Sequence, residues 1–270
     1  MLDHLLHLNA AARKAAYDNT SAVTNSAAQL SEFEARSAAL VQHTTGHLDV
    51  VYGPQARQQF DFFQGSHGAA TLLFIHGGYW QMRHKNTFRF VAEGALKNGL
   101  NAALLGYTLA PQATLTQIVQ EVLHGIAAVR VHALQQGGAD RLLLCGWSAG
   151  GHLTAMGLHA PGVVAGLGIS GIYDLGPIQH NALNAALQLS DTEVQLLSPL
   201  RLPVVHKPFI TAYGTAELVQ LQRQSQAFAQ YRQGLPQDAL LPIHGADHFS
   251  ILNALAQPDG ALLDALLAYR

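Results

Sequence analysis

Between residues 46 and 270, short apolar runs alternate with longer stretches of helical periodicity. Runs at 48–52, 59–63, 71–75, 102–107, 141–145, 163–169, 208–213 and 239–243 predict eight strands. Helices are predicted near 86–98, 115–135, 149–159, 218–233 and 260–269. In the second of these, Ile118, Val122, Ile126, Val129 and Leu134 recur at roughly helical spacing and mark one apolar face. Near-continuous apolar strands suit a parallel sheet covered on both faces by helices. Two early adjacent strands followed by strand–helix alternation predict a largely parallel α/β sheet with an antiparallel start.

Residues 1–45 read differently, being rich in Ala, Asn, Ser and Gln. Within them Ser31-Glu32-Phe33-Glu34 resembles a helix start. We expect a helical lead-in over 1–45, part of a lid, and one main domain over 46–270. No repeat and no flexible linker divides the chain further.

Composition narrows the function classes. Apolar residues make up 49%, which excludes a chain that is mainly disordered. Fifteen Lys and Arg against 17 Asp and Glu give a net charge of −2, so no basic excess is present to neutralise nucleic-acid phosphates. Residues 142–173 form a run of 32 without a charged side chain, which raises the question of a membrane span. The eight glycines in that run fit a buried strand–turn–helix–strand unit better. The lone Cys145 cannot form an internal disulfide, and residues 1–16 lack the pattern of a signal peptide. The expectation is a soluble cytoplasmic protein, monomer or homodimer, acting on a small molecule without nucleic acid or membrane.

The strongest chemical signal is Gly146-Trp147-Ser148-Ala149-Gly150, placed after an apolar strand and before a helix. A sharp strand-to-helix turn needs small residues two positions either side of a serine, because backbone and helix approach closely there. Such a turn presents Ser148 as a nucleophile. The second signal is His76-Gly77-Gly78-Tyr79-Trp80, directly after the strand at 71–75. Acyl transfer needs fixed N–H dipoles around the oxyanion. We assign Gly78 and Ala149 as its main donors, with Gly77 or Tyr79 as a further one, and His76 as a residue that holds the loop. Tyr79, Trp80 and Trp147 are candidates for the substrate pocket; Trp80 reads equally well as a core aromatic.

The base must come late if the order along the chain is serine, acid, histidine. His248, in Gly245-Ala246-Asp247-His248-Phe249 after the last strand, fits that place. His244 reads as structural. For the acid, Glu217 on the loop after the strand at 208–213 is favoured and Asp174 is the rival. Asp247 adjoins His248, but neighbours in an extended loop point apart. The 15 histidines include no His-Glu-x-x-His motif, so we expect neither a metal nor a cofactor. Cys145, ending a strand, reads as a buried structural thiol.

With these residues in view, the chain resembles the α/β-hydrolases of the kynurenine formamidase (arylformamidase) type, close to the hormone-sensitive-lipase-like esterases. Gly106-Tyr107-Thr108-Leu109-Ala110-Pro111, Ser170-Gly171-Ile172-Tyr173-Asp174-Leu175, Ser198-Pro199-Leu200 and Ala16-Tyr17-Asp18-Asn19 with Tyr52-Gly53-Pro54 carry the likeness through most of the chain. The resemblance implies an α/β-hydrolase fold with a mostly parallel eight-stranded sheet. It implies a serine hydrolase that cleaves an aryl formamide such as N-formyl-L-kynurenine, with nucleophile, acid and base at Ser148, Glu217 and His248. Many relatives have Asp at the acid position, where this chain has Glu217. Tyr79 stands where lipase-like esterases often have Gly, which favours the formamidase branch. A carboxylesterase for short-chain acyl or aryl esters, or a hydrolase of another small amide or carbamate, is the alternative.

Overall fold

A computed structural model of the chain describes residues 7–270. The eight strands are β1 (Gly46–Val51), β2 (Gln59–Phe63), β3 (Thr71–Ile75), β4 (Asn101–Leu105), β5 (Leu142–Trp147), β6 (Val163–Ile169), β7 (Phe209–Gly214) and β8 (Ala239–Ile243). They form one sheet in the order β1-β2-β4-β3-β5-β6-β7-β8. The β1–β2 and β2–β4 pairs are antiparallel, and every pair from β4 to β8 is parallel. The eight predicted strands are therefore all present, four with the expected bounds and four with ends shifted by one or two residues.

Side-chain alternation splits the core into two layers. Leu73, Ile75, Leu142 and Leu144 face one side, while Leu72, Phe74, Leu143 and Cys145 face the other. The central strands have no polar face because helices cover both sides. Helix α5 (Leu115–Gln135) covers the first side and opens with a reciprocal capping box between Thr114 and Gln117. Ile118, Val122, Ile126 and Val129 are buried along it as expected. Leu134 is instead 43% exposed, and Ala133 turns inward in its place. The remaining labelled helices are α1 (Ala10–Ala15), α2 (Asn19–Ala22), α3 (Ser26–His43), α4 (Ala92–Lys97), α6 (Ala149–Gly157), α7 (Val219–Tyr231) and α8 (Ala261–Leu267). Three short helices lie between 176 and 197.

The lead-in is helical over its described part; residues 1–6 of it lie outside the described residues. Its long helix begins at Ser26, five residues before the start that Ser31-Glu32 suggested. Packing decides this. Phe33 is buried and stacks on Phe90 at 4.4 Å. Ser37 donates to the Thr87 carbonyl and accepts from the Phe90 N–H. The glutamates that imitate a capping box therefore lie mid-helix. The predicted 86–98 helix divides into a 3-10 segment, Lys85–Val91, and α4. Among the described residues, no helix is long and apolar enough to cross a membrane.

Candidate active site

The tightest point of the fold is the turn from β5 into α6. Ser148 occupies it with φ 58° and ψ −119°, a conformation that bulky residues rarely adopt. The two glycines that flank it are required sterically. A Cβ on Gly146 would stand 2.1 Å from the Gly150 carbonyl oxygen, and a Cβ on Gly150 would stand 2.0 Å from that of Ile75. Any side chain there would push α6 off the strand. Ala149 opens α6, so its N–H belongs to the first turn, which has no intrahelical acceptor.

The loop after β3 runs past this turn. A Cβ on Gly77 would lie 2.7 Å from the Trp147 carbonyl oxygen and 2.9 Å from Ser148 Cβ, so the Gly77 backbone lies against the serine. Gly78, Tyr79 and Trp80 follow with φ of 111°, 50° and 59°. This left-handed run turns the loop back on itself, and the Gly78 carbonyl accepts from Gln81 and Met82 at 3.0 Å. His76 holds the loop, as expected. It is fully buried, donates from Nδ1 to the Gly77 carbonyl at 2.7 Å, and stacks on Tyr107 at 4.4 Å. Burial pushes its pKa down to about 3, so it stays neutral. Tyr107 in turn donates to the His76 carbonyl at 2.8 Å.

His248 reaches the same region on the loop after β8. Its ring centroid lies 4.8 Å from that of Trp147, the residue before Ser148. Trp147 Nε1 donates to the His248 carbonyl at 2.7 Å. Asp247 shapes the loop: its Oδ1 accepts from the Phe249 and Ser250 N–H groups, and its Oδ2 accepts from Gln29 on α3. His248 Nδ1 donates to Glu217 Oε2 at 3.1 Å. Glu217 Oε1 accepts from the Gly214 N–H at 2.7 Å and from Ser170 Oγ at 2.5 Å. Both oxygens of this buried carboxylate are thus engaged.

Asp174, the rival acid, is drawn elsewhere. Its Oδ1 accepts from Arg201 Nη2 at 2.9 Å and from the Gly176 N–H at 3.1 Å. His244 is exposed rather than packed. The three aromatic pocket candidates lie in different surroundings. Trp80 is fully buried in the core, edge-on to His152 at 5.1 Å. Trp147 is buried against Phe88, His248 and Phe249. Its indole N–H holds the histidine loop. Tyr79 lines a cavity of about 280 Å³, whose walls include Tyr17, Asn19, Gln81, Asn181 and Leu183. Ser170 was missed among the sequence candidates; it appears there only within a family-like segment. Cys145 is fully buried, and desolvation holds its thiol well above the usual range. Among the described residues, no group of three or more His, Cys, Asp or Glu is placed to hold a metal ion.

Comparison with known proteins bears on the fold. The BD-FAE family model matches residues 63–162, which span β3, the glycine loop and the serine turn. Kynurenine formamidase of Danio rerio is 28% identical over 242 residues, 82% of this chain and 80% of the relative. A Silicibacter sp. TM1040 crystal structure, put forward as a thioesterase, superposes with a TM-score of 0.86 at 23% identity, covering 94% of this chain and 98% of that one. The chain has the α/β-hydrolase fold. Esterase LipW of Mycobacterium marinum shares the hydrolase fold with a TM-score of 0.73 at 17% identity, over 91% of this chain and 90% of its own. The hydrolase sheet thus places the serine turn, the glycine loop and the histidine loop together at the C-terminal ends of its parallel strands.

Proposed function

We propose that this hydrolase cleaves a small aryl formamide through a formyl-enzyme on Ser148. In this reading His248 removes the Ser148 hydroxyl proton as the oxygen attacks the formyl carbon. Glu217 fixes the imidazole tautomer through the Nδ1 contact and stabilises the imidazolium. Backbone N–H groups of Gly78 and Ala149, with Gly77 beside them, stabilise the oxyanion. The imidazolium then gives its proton to the departing aryl nitrogen, and the C–N bond breaks. Water, deprotonated by His248, attacks the formyl ester and releases formate and free Ser148.

The observation that carries the chemistry is the buried Glu217–His248 contact on a loop packed against Trp147, next to a serine held at positive φ. The formamide is favoured by the likeness to kynurenine formamidase over four-fifths of the chain. The second reading, a carboxylesterase for short-chain acyl or aryl esters, draws on the esterase neighbours of the same fold. Helices α1–α3 would serve as the cover that walls the substrate cavity, with the main domain beneath. The single buried thiol suits a reducing compartment such as the cytoplasm.

The test is kcat/KM for N-formyl-L-kynurenine beside p-nitrophenyl acetate and butyrate, with Ser148→Ala as the blank. The expected result is a clear preference for the formamide and loss of all turnover in the variant. Good ester turnover with poor formamide turnover selects the second reading. Near-wild-type activity of Ser148→Ala overturns both.

A further inference from the structure

The lead-in segment Ala16-Tyr17-Asp18-Asn19 takes no part in the proposed hydrolysis, yet it meets the glycine loop. The contact is with Tyr79, which is peptide-bonded to Gly78. Tyr79 has φ 50°, a left-handed backbone that an aromatic residue rarely adopts. Such a conformation persists only where the surroundings hold it. On one side the core holds the loop: Trp80 is fully buried, and its carbonyl accepts from the Ala110 N–H at 2.8 Å. On the other side the lead-in holds it, through the Tyr79 hydroxyl.

That hydroxyl makes two buried hydrogen bonds. It donates to the Tyr17 carbonyl at 2.6 Å and accepts from Asn19 Nδ2 at 2.9 Å. A carbonyl can only accept, so the proton goes to Tyr17 and the oxygen serves Asn19. Both partners are themselves fixed, Tyr17 being 2% and Asn19 4% exposed. The Tyr17 hydroxyl accepts from Nε2 of Gln224, on α7, at 3.3 Å. Gln224 is fully buried. Its Oε1 accepts from the Tyr173 and Asp174 N–H groups at 2.9 and 2.8 Å, and its Nε2 also donates to the Asp174 carbonyl at 3.0 Å. Hydrogen bonds thus run from α7 and the segment after β6, through Tyr17, to the residue that follows Gly78.

We propose that Tyr79 is a positioning residue, and that Tyr17 and Asn19 brace the oxyanion loop from outside the sheet by holding its hydroxyl. The inference rests on the hydrolase reading of Ser148 and on Gly78 as an oxyanion donor. It gives the lead-in a part in transition-state stabilisation. A donor serves the oxyanion only from about 2.7–3.1 Å. Loosening Tyr79 lets Gly78 drift, which weakens the transition state, where the oxyanion exists, more than the ground state.

The test is Tyr79→Phe, which keeps the ring and removes both hydrogen bonds. Four quantities are measured: kcat and KM for p-nitrophenyl acetate, Ki for an aryl trifluoromethyl ketone, and the urea midpoint. The ketone forms an oxyanion when Ser148 adds to it, so it reports on the oxyanion donors directly. We expect kcat to fall about tenfold, the scale of a lost buried hydrogen bond, with KM unchanged and Ki raised by the same factor. Asn19→Ala should act in the same direction. The double variant should be no slower than Tyr79→Phe, because both changes act through one hydroxyl. Unchanged kcat and Ki, a loss confined to KM, or additive losses in the double variant overturn the proposal. Where Tyr79→Phe shows no cooperative urea transition, Asn19→Ala decides, and unchanged kcat and Ki in that variant overturn the proposal. If the wild type instead hydrolyses neither formanilide nor p-nitrophenyl acetate and Ser148 resists a fluorophosphonate, the hydrolase reading itself has failed.

Discussion

Ser170 donates its hydroxyl to Glu217 Oε1 at 2.5 Å, on the carboxylate oxygen opposite the one that meets His248. Ser170 directly follows β6 with φ 52°, and its N–H donates to the Ala212 carbonyl at 2.7 Å. The strained backbone therefore aims a hydroxyl at the acid across two neighbouring strands. The arrangement makes Ser170 a positioning residue. It steadies the carboxylate and draws off part of its charge.

Replacing Ser170 with Ala leaves Oε1 with the Gly214 N–H alone. We expect kcat/KM to fall about tenfold, the scale of one hydrogen bond to a charged group. The loss should fall on kcat, with KM and the urea midpoint unchanged, because the carboxylate loses its orientation while the rest of the site stays in place. A fall in activity matched by a lower urea midpoint would show that Ser170 acts only through packing.

The two glycines of the serine turn give a prediction about stability. Each added Cβ would meet a carbonyl oxygen at about 2 Å, which rotation of a side chain cannot relieve. Gly146→Ala or Gly150→Ala should destabilise the fold by about 1–3 kcal/mol or more. Urea unfolding would measure it. Either variant matching the wild type in midpoint would mean that the turn has room the geometry denies.

The strands were legible because each is an apolar run closed by turn residues, and a buried sheet needs nothing more. The serine turn was legible because its sterics demand glycines at fixed spacing. Trp80 and Trp147 were less so. An aromatic beside a glycine turn can point to either side of the sheet, and the choice depends on backbone angles such as the φ of 59° at Trp80. Ser170 could not be found by pattern, since only the spatial order of β6 and β7 brings it to Glu217. The start of α3 was misplaced because a local capping signal was outweighed by the burial of Phe33 and Ser37.

A buried charge cluster fastens β2 to the segment before α4. Asp61, fully buried, accepts from Lys85 Nζ at 2.6 Å through Oδ1 and from Arg89 Nε at 2.7 Å through Oδ2. Lys85 is itself buried and also meets Asp49 at 2.6 Å. Asp61→Asn removes the charge that two cations share. The expected cost is about 3–5 kcal/mol, because an unmatched charge then stays out of water. Chemical denaturation should show the loss; a change below about 1 kcal/mol would mean that water reaches the cluster.

Acid should weaken the protein through two buried histidines. Burial lowers His76 to about 3 and His152 to about 4 from an ordinary value near 6.5. His152 Nε2 donates to the Leu197 carbonyl at 2.7 Å, a bond that favours the charged form and offsets part of the effect of burial. In the unfolded chain both take up a proton as pH falls through about 6.5, while the folded chain does not. The unfolded state then binds more protons, so stability falls as pH drops from about 6.5 toward 4, by about 1.4 kcal/mol per pH unit for each histidine. Below about 4 the His152 contribution levels off, and that of His76 does so near 3. Above about 7 neither group changes charge, so neither contributes a slope. Unfolding free energies measured by urea from pH 8 to 4 should bend downward near 6.5. Replacing His152 with Phe should halve the histidine share of that slope. An unchanged slope in the variant would show that His152 is already protonated in the folded protein or that its site admits water.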